Sequence, residues 1–533
     1  MDKQLNFRPG NLALKLLFLI TIATSAGCTI ARGVAQTQKN PQLATSVIPV
    51  TGDDVTAETL EAPTLSTQAA EESIDLTAYP NTIWVDVNRG SDVNKGISLE
   101  ESVQTIQQAA RLAVPGTVVR VMPGIYHEEV IPASSGTETQ PILYIAEEGL
   151  GSVLVRGSES SSSLTWTQLT YNTVGLPAAV DPRNIYYADI STWGLETAPR
   201  YLVELDNQGE IFTRINPARE PDWHTVTEYK YSEHWWSANG GSTVAGCDPT
   251  TNANNDCDFS WRSYTQLTDT LTDTAPTDIE AGNLKTLGNI SGATLIALDA
   301  RHGNYIYRRT VTGHEISTGR ITVNERCEDD GNPGLGWGSK YYLENHPALV
   351  DHPGEWWYDK NTQRLYLWPT SGKNPAQSKL EISRYDNAFD FSNQSNIILN
   401  GFKVELFNGD AYRIINNGDS GKSYGDQIKN SSVRYANRGI VIYNYVVGTD
   451  PTYAIDGFLL ENSEVSFMDS AGMEISFWWP DAPSPNTFSY AGVRNTTIRN
   501  NVFHHLAFAS QDRSAVGIRS FFPDHLTFEG NHL

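Results

Sequence analysis

Basic residues are scarce in this chain. Lys and Arg number 38 against 62 Asp and Glu, a formal charge of −24 over 533 residues. A surface this acidic repels nucleic acid and anionic lipid, which excludes both as default partners. It also matches polyanions poorly, unless one local basic cleft overrides the rest. Cysteine is scarce as well: Cys28, Cys247, Cys257 and Cys327. Long apolar runs are nearly absent. The run Leu16 to Ala23 is too short to span a bilayer. The last third lacks any helical period, which excludes a helical solenoid there.

Lys3, Arg8 and Lys15 precede the apolar run, and Ser25-Ala26-Gly27-Cys28 follows it. This is a secretory signal. Its ending resembles a bacterial lipobox, with Ser25 where that pattern usually has Leu. The resemblance implies lipidation of Cys28; plain cleavage after a small residue is the alternative. The expected location is the cell envelope, as an outer-membrane, surface or periplasmic lipoprotein, or outside the cell if secreted. Contact with a membrane is expected only through the lipid. Residues 29 to 78 are Thr, Ala, Gln, Ser and acids with few aromatics, a disordered tether. An exported chain can keep a disulfide, and the ten-residue spacing favours Cys247 with Cys257. Cys327 is expected to be buried and inert.

Aromatics are plentiful, with 13 Trp, 24 Tyr and 17 Phe. So is repetition. A six-residue frame recurs as Leu399-Asn-Gly401-Phe-Lys-Val404, Ile428-Lys-Asn430-Ser-Ser-Val433, Leu460-Glu-Asn462-Ser-Glu-Val465, Ile498-Arg-Asn500-Asn-Val-Phe503 and Phe528-Glu-Gly530-Asn-His-Leu533. The starts lie 29, 32, 38 and 30 residues apart, a solenoid period. Asn or Gly in the middle points to a tight turn at φ > 0 between two short strands. Asn there can also ladder its amides from coil to coil. A further strand follows each of the first four frames: Ala411 to Ile414, Gly439 to Ile442, Gly472 to Ile475 and Gly517 to Ser520. The expected fold is all-β, a right-handed parallel β-helix.

Residues 79–159 hold a strand from Thr82, a Ser98-to-Glu101 capping box, and a helix with Val103, Ile106, Ala110 and Ala113 on one face. First coils follow at Pro141 to Ile145 and Val153 to Gly157. The repeat is missing from 160 to 385. A structureless loop of that length is implausible, so an antiparallel β-sandwich is expected as an inserted domain. Its clearest hairpin runs from Glu355 to Pro369. Repeats then fill 386–533 and stop at Leu533, the end of a frame, as a truncated solenoid would.

The repeat is similar to those of the pectate-lyase-like superfamily of β-helix proteins. The order Trp-Val-Asp, short helix, Pro-Gly-Thr-Val, Pro-Gly-Ile-Tyr resembles the start of many secreted β-helix enzymes, in which that helix caps the solenoid. Ala218-Arg-Glu-Pro-Asp-Trp223 and the 355–369 hairpin resemble segments of glycoside-hydrolase-type members that carry an inserted β-sandwich. The resemblance implies carbohydrate-active chemistry on an outward strand face. The chain lacks the Arg-x-Pro-x-x-Arg of pectate lyases and the Asp-Pro-His-Glu of mannuronan epimerases. Ser476 and Phe477 stand where alginate- and chondroitin-lyase-like members place a Lys base.

Alternation turns Ile440, Met473 and Ile518 inward and Arg413, Val441, Glu474 and Arg519 outward. Glu474 and Arg519 then neighbour each other on one exposed sheet, as a site or as a solvated ion pair. Glycosidic hydrolysis needs two carboxyl groups. Glu474 is the first candidate, with Asp512 preferred over Asp469 as its partner; either Asp can instead close its own turn. Arg413 and Arg519 are candidate substrate grips. Trp478 and Trp479 form a sugar platform, or the loop's own small core. His505 lines the cleft or sits on the surface. No cofactor is expected. The Asp and Asn residues from Cys247 to Asp258 suit calcium but lack EF-hand spacing, so a disulfide-tied loop is the reading there. The expected function is a glycoside hydrolase acting on a polysaccharide or oligosaccharide. A polysaccharide lyase and a non-catalytic glycan-binding or adhesive solenoid are the alternatives.

Overall fold

The computed structural model describes residues 76–222, 235–238, 266–269, 280–281, 284–298, 306–325, 335, 339–417, 423–445, 454–477, 492–506, 517–520 and 524–533. Cys28, Cys247, Cys257, Cys327, Trp478, Trp479, Asp512, the signal and nearly all of the tether lie outside them. The described residues are nearly all β.

The five frames pair in parallel and in register. Leu399 lies beside Ile428, Ile428 beside Leu460, Leu460 beside Ile498, and Ile498 beside Phe528. The same column runs back through Tyr144 and Val119 to Ile83. The far ends of the frames build a second parallel sheet, in which Val404, Val433, Val465 and Phe503 stack. That column runs back through Val155 to Tyr126. Each frame thus carries the chain from one sheet to the other. Both columns are buried from Tyr144 to Ile498 and from Tyr126 to Phe503, in one continuous core. Burying each such side chain stabilises the fold by roughly 1.5–3 kcal/mol.

The turn between the sheets has the expected conformation. Gly401, Asn430, Asn462, Asn500 and Gly530 have φ of 89°, 48°, 50°, 58° and 64°. Gly enters this region freely and Asn tolerates it. The side-chain ladder runs mainly one residue later than expected. Phe402 N–H donates to Ser431 Oγ at 3.3 Å and Ser431 N–H to Ser463 Oγ at 3.2 Å. Ser463 N–H donates to Asn501 Oδ1 at 2.8 Å, and Asn501 N–H to Asn531 Oδ1 at 2.9 Å. The turn residues give their own N–H to carbonyls of the next coil, as Asn430 does to Glu461. The following side chain is left to bridge.

The helix is shorter than the sequence suggested, Ile106–Leu112. Thr105 is its N-cap, accepting from Gln108 N–H at 3.0 Å. Glu128, from beyond the next strands, accepts from Ile106 and Gln107 N–H. Ser98 and Glu101 close only a turn. A capping residue from a distant strand leaves no local signature.

Between residues 158 and 383 the strands are mostly antiparallel. Ser158–Ser160, Leu380–Ser383, Leu202–Leu205 and Ile211–Ile215 make one sheet. A second contains the hairpin Trp356–Asp359 with Arg364–Leu367, where the Trp357 and Tyr366 rings stack 4.4 Å apart. A third pairs Thr294–Leu298 with Ile306–Glu315 and with Lys340–Glu344. Trp236–Ser237 and Glu280–Ala281 pair in parallel, a local departure from the antiparallel expectation.

Candidate active site in an arginine-lined pocket

A column of residues with left-handed backbone interrupts the second sheet. Leu406, Tyr435, Phe467 and His505 have φ of 65°, 56°, 55° and 50°. Each lies seven residues after the start of its frame. The rings stack, Tyr435 on Phe467 at 5.0 Å and 9°, Phe467 on His505 at 4.7 Å and 16°. The hairpin formed by Leu202–Leu205 and Ile211–Ile215 packs here: Tyr201, Val203 and Leu406 share a small buried cluster with Tyr435.

Where the hairpin leaves the column, a cavity of about 620 Å³ opens. Asn408, Tyr435, Phe467 and Asp469 come from the stacked turns. Arg200, Arg214, Arg219, Trp235, Arg308, Tyr342 and Glu344 come from the antiparallel part. Asp469 is 1% exposed. Its Oδ1 accepts from Arg214 Nη1 at 2.6 Å, and its Oδ2 from Arg200 Nη1 at 3.1 Å. Burial pushes its carboxyl up, but the Arg214 and Arg200 guanidinium groups outweigh that and hold it below the usual carboxylate range. Arg214 also lies over the Tyr201 ring, 4.7 Å from its centroid. Glu344 accepts from Arg308 Nη2 at 2.6 Å. Arg219 lies 3.8 Å over Tyr342 and donates from Nε to the Pro221 carbonyl. Burial, then Glu344, pushes the Tyr342 hydroxyl up to about 12.

Glu474 and Arg519 are register neighbours, and so are Glu474 and Val441, and Val441 and Arg413. Ile440 and Met473 belong to the core, and Ile518 packs against it; the other four residues do not join it. The sheet is not exposed at Glu474, which is 6% accessible. Arg519 Nη2 donates to its Oε1 at 2.5 Å and Arg438 Nη1 to its Oε2 at 3.1 Å. Arg438 in turn holds Asp410 at 2.7 Å. Long guanidinium side chains from both neighbouring strands cover the carboxylate, which alternation alone could not indicate. Glu474 is absent from the pocket lining, whereas Asp469 is in it. Arg413 lies at the edge of an ion pair, its Nε 4.0 Å from Asp390. His505 is exposed, with its Nδ1 2.6 Å from His504 Nδ1. Partial burial, then His504, pushes the His505 imidazole down. Asp512, Trp478 and Trp479 fall outside the described residues.

The sequence reading missed Arg200, Arg308, Tyr342 and Glu344. No local pattern marks them. Arg219 lies inside the Ala218-to-Trp223 segment, noted above only for a resemblance. Elsewhere, ligand atoms of Asp222, Asp351, His352 and Glu355 lie within 4.8 Å of one another, a donor set that a cation could use. His352 already supplies a cationic partner when protonated, 3.6 Å from Asp222.

Neither a family model nor a curated protein matches the sequence. Solved structures similar to it include one titled "Glycoside hydrolase", at 14% identity and a TM-score of 0.45, covering 85% of this chain and 87% of that one. A complex of XylC with xylose aligns at 15% identity and a TM-score of 0.39, covering 82% of this chain and 56% of that one. The tailspike protein gp49 of Pseudomonas phage LKA1 aligns at 11% and 0.18, over 78% and 50%. The likeness is distant, so the site is read from its own residues.

Proposed function

We propose that this chain is an exported, lipid-anchored glycoside hydrolase acting on a polysaccharide or oligosaccharide. In this reading the stacked turns are a right-handed parallel β-helix, residues 160–385 are an inserted β domain, and Cys28 carries the lipid. The observation that carries the reading is the pocket, which holds two carboxylates, Asp469 and Glu344, beside aromatic walls. Sugar C–H faces pack on aromatic faces, and two carboxyl groups are the usual machinery of glycosidic hydrolysis. Asp469, held ionised by two guanidinium groups, takes the part of nucleophile or base. Glu344 is the second carboxyl group of the pair. Glu474, fixed between Arg438 and Arg519, is a positioning residue of the adjoining face. Arg413 and His505 flank the sugar path.

The test is release of reducing ends from a panel of glycans by the whole chain. Release that Glu344→Gln abolishes supports the proposal. An unsaturated product absorbing in the ultraviolet would replace it with a lyase, and binding without cleavage would replace it with a glycan-binding solenoid.

A further inference from the structure

We propose that the pocket takes an acidic sugar, one bearing a carboxylate or a sulfate ester. This rests on the reading of the pocket as a glycan seat and names its substrate class. Leaving aside Arg219, three guanidinium groups line the cavity, those of Arg200, Arg214 and Arg308, against the two carboxylates of Asp469 and Glu344. The pocket is therefore cationic inside a chain of formal charge −24. Clustering positive side chains in a half-buried cleft is costly unless an anion completes it. The carboxylates present do not use up the donors. Asp469 takes Nη1 of Arg200, and the Asn408 carbonyl takes its Nε at 2.8 Å. Arg200 Nη2 has no protein acceptor among the described residues. Glu344 takes only Nη2 of Arg308, whose side chain is 60% exposed. Arg308 Nε and Nη1 likewise lack an acceptor among the described residues. A guanidinium edge matches the planar oxygens of a carboxylate and two oxygens of a sulfate. The Tyr435 and Phe467 rings of the same pocket offer apolar faces to the sugar ring. An acidic glycan approaching an acidic protein needs such a local positive field to be captured.

The test is calorimetric titration of the full chain with tetragalacturonate, a sulfated carrageenan tetrasaccharide and neutral cellotetraose. The expected result is binding of an acidic probe at least about tenfold tighter than cellotetraose, weakening as salt rises. Tetragalacturonate alone would assign a carboxylate; carrageenan alone would assign a sulfate. Arg308→Gln should weaken the acidic probe at least about tenfold. Its circular dichroism should stay unchanged, because the side chain is largely exposed and Gln can still donate to Glu344. Cellotetraose binding as tightly as either acidic probe overturns the inference. So does absence of acidic binding, or acidic binding that Arg308→Gln and Arg200→Gln both leave unchanged. Cleavage of neutral glycans without acidic binding overturns it while the hydrolase reading stands. Acidic binding with no cleavage of any glycan upholds it and removes the hydrolase reading.

Discussion

Asp469 and Arg214 meet at 2.6 Å although they reach the pocket from opposite walls. One follows the strand Glu464–Met468 of the stacked turns, and the other lies on Ile211–Ile215 of the antiparallel hairpin. Arg200 completes the clasp at 3.1 Å. The same contact holds the two walls together and sets the charge of the carboxylate.

Asp469→Asn should therefore destabilise the fold as well as the activity. It leaves two half-buried guanidinium groups without their anion. Removing one partner of a buried pair costs about 3–5 kcal/mol. Urea unfolding at neutral pH should show this loss, and a change below about 1 kcal/mol would mean that the clasp is a surface ion pair.

Phe467→Leu keeps an apolar side chain but removes both ring stacks, with Tyr435 and with His505. Stacked pairs contribute about 0.5–1.5 kcal/mol each beyond burial. A loss of about 1–3 kcal/mol in unfolding free energy is expected, together with weaker glycan binding. Unchanged glycan affinity would exclude the column from the sugar path.

Asp426 should make stability fall as pH rises. It is 2% exposed and accepts from Ile397 N–H at 2.9 Å and Ser423 Oγ at 3.1 Å. Burial pushes its carboxyl up to about 8. The folded chain thus keeps a proton that the unfolded chain sheds near pH 4. The contribution is complete below about pH 4 and is lost as pH climbs to about 8. Melting curves of the wild type should fall across that window, and those of Asp426→Asn should be flatter. Parallel curves would show that Asp426 stays ionised.

Much of the stack was legible because its periodicity is physical. A turn at φ > 0 restricts the middle residue to Gly or Asn, and two flanking apolar residues must enter one core. The inward set, from Ile440 to Ile518, followed from alternation alone. The left-handed column was legible in principle, since Tyr435, Phe467 and His505 hold the same place after each frame. It was missed because their residue types vary. Glu474 was placed beside Arg519 correctly, but its burial depends on Arg438, which lies in the neighbouring strand. The pocket could not be read at all from sequence. Arg200, Arg308 and Glu344 are far apart in the chain and meet only through antiparallel pairing without any repeat. Of the two partners considered for Glu474, Asp512 lies outside the described residues, and Asp469 is held by Arg200 and Arg214 while Glu474 is held by Arg438 and Arg519.

We propose that the acids of the pocket, not those of the outward strand, do the chemistry. The most direct test is kcat/KM for Glu344→Gln and Glu474→Gln on whichever glycan the wild type cleaves. Removing a catalytic carboxyl costs at least about 10²-fold, whereas a positioning group costs far less. Glu344→Gln is expected to lose at least that much while folding normally, and Glu474→Gln to stay within about tenfold of the wild type. A collapse of Glu474→Gln alongside near-normal Glu344→Gln would contradict the account and move the reaction to the outward strand.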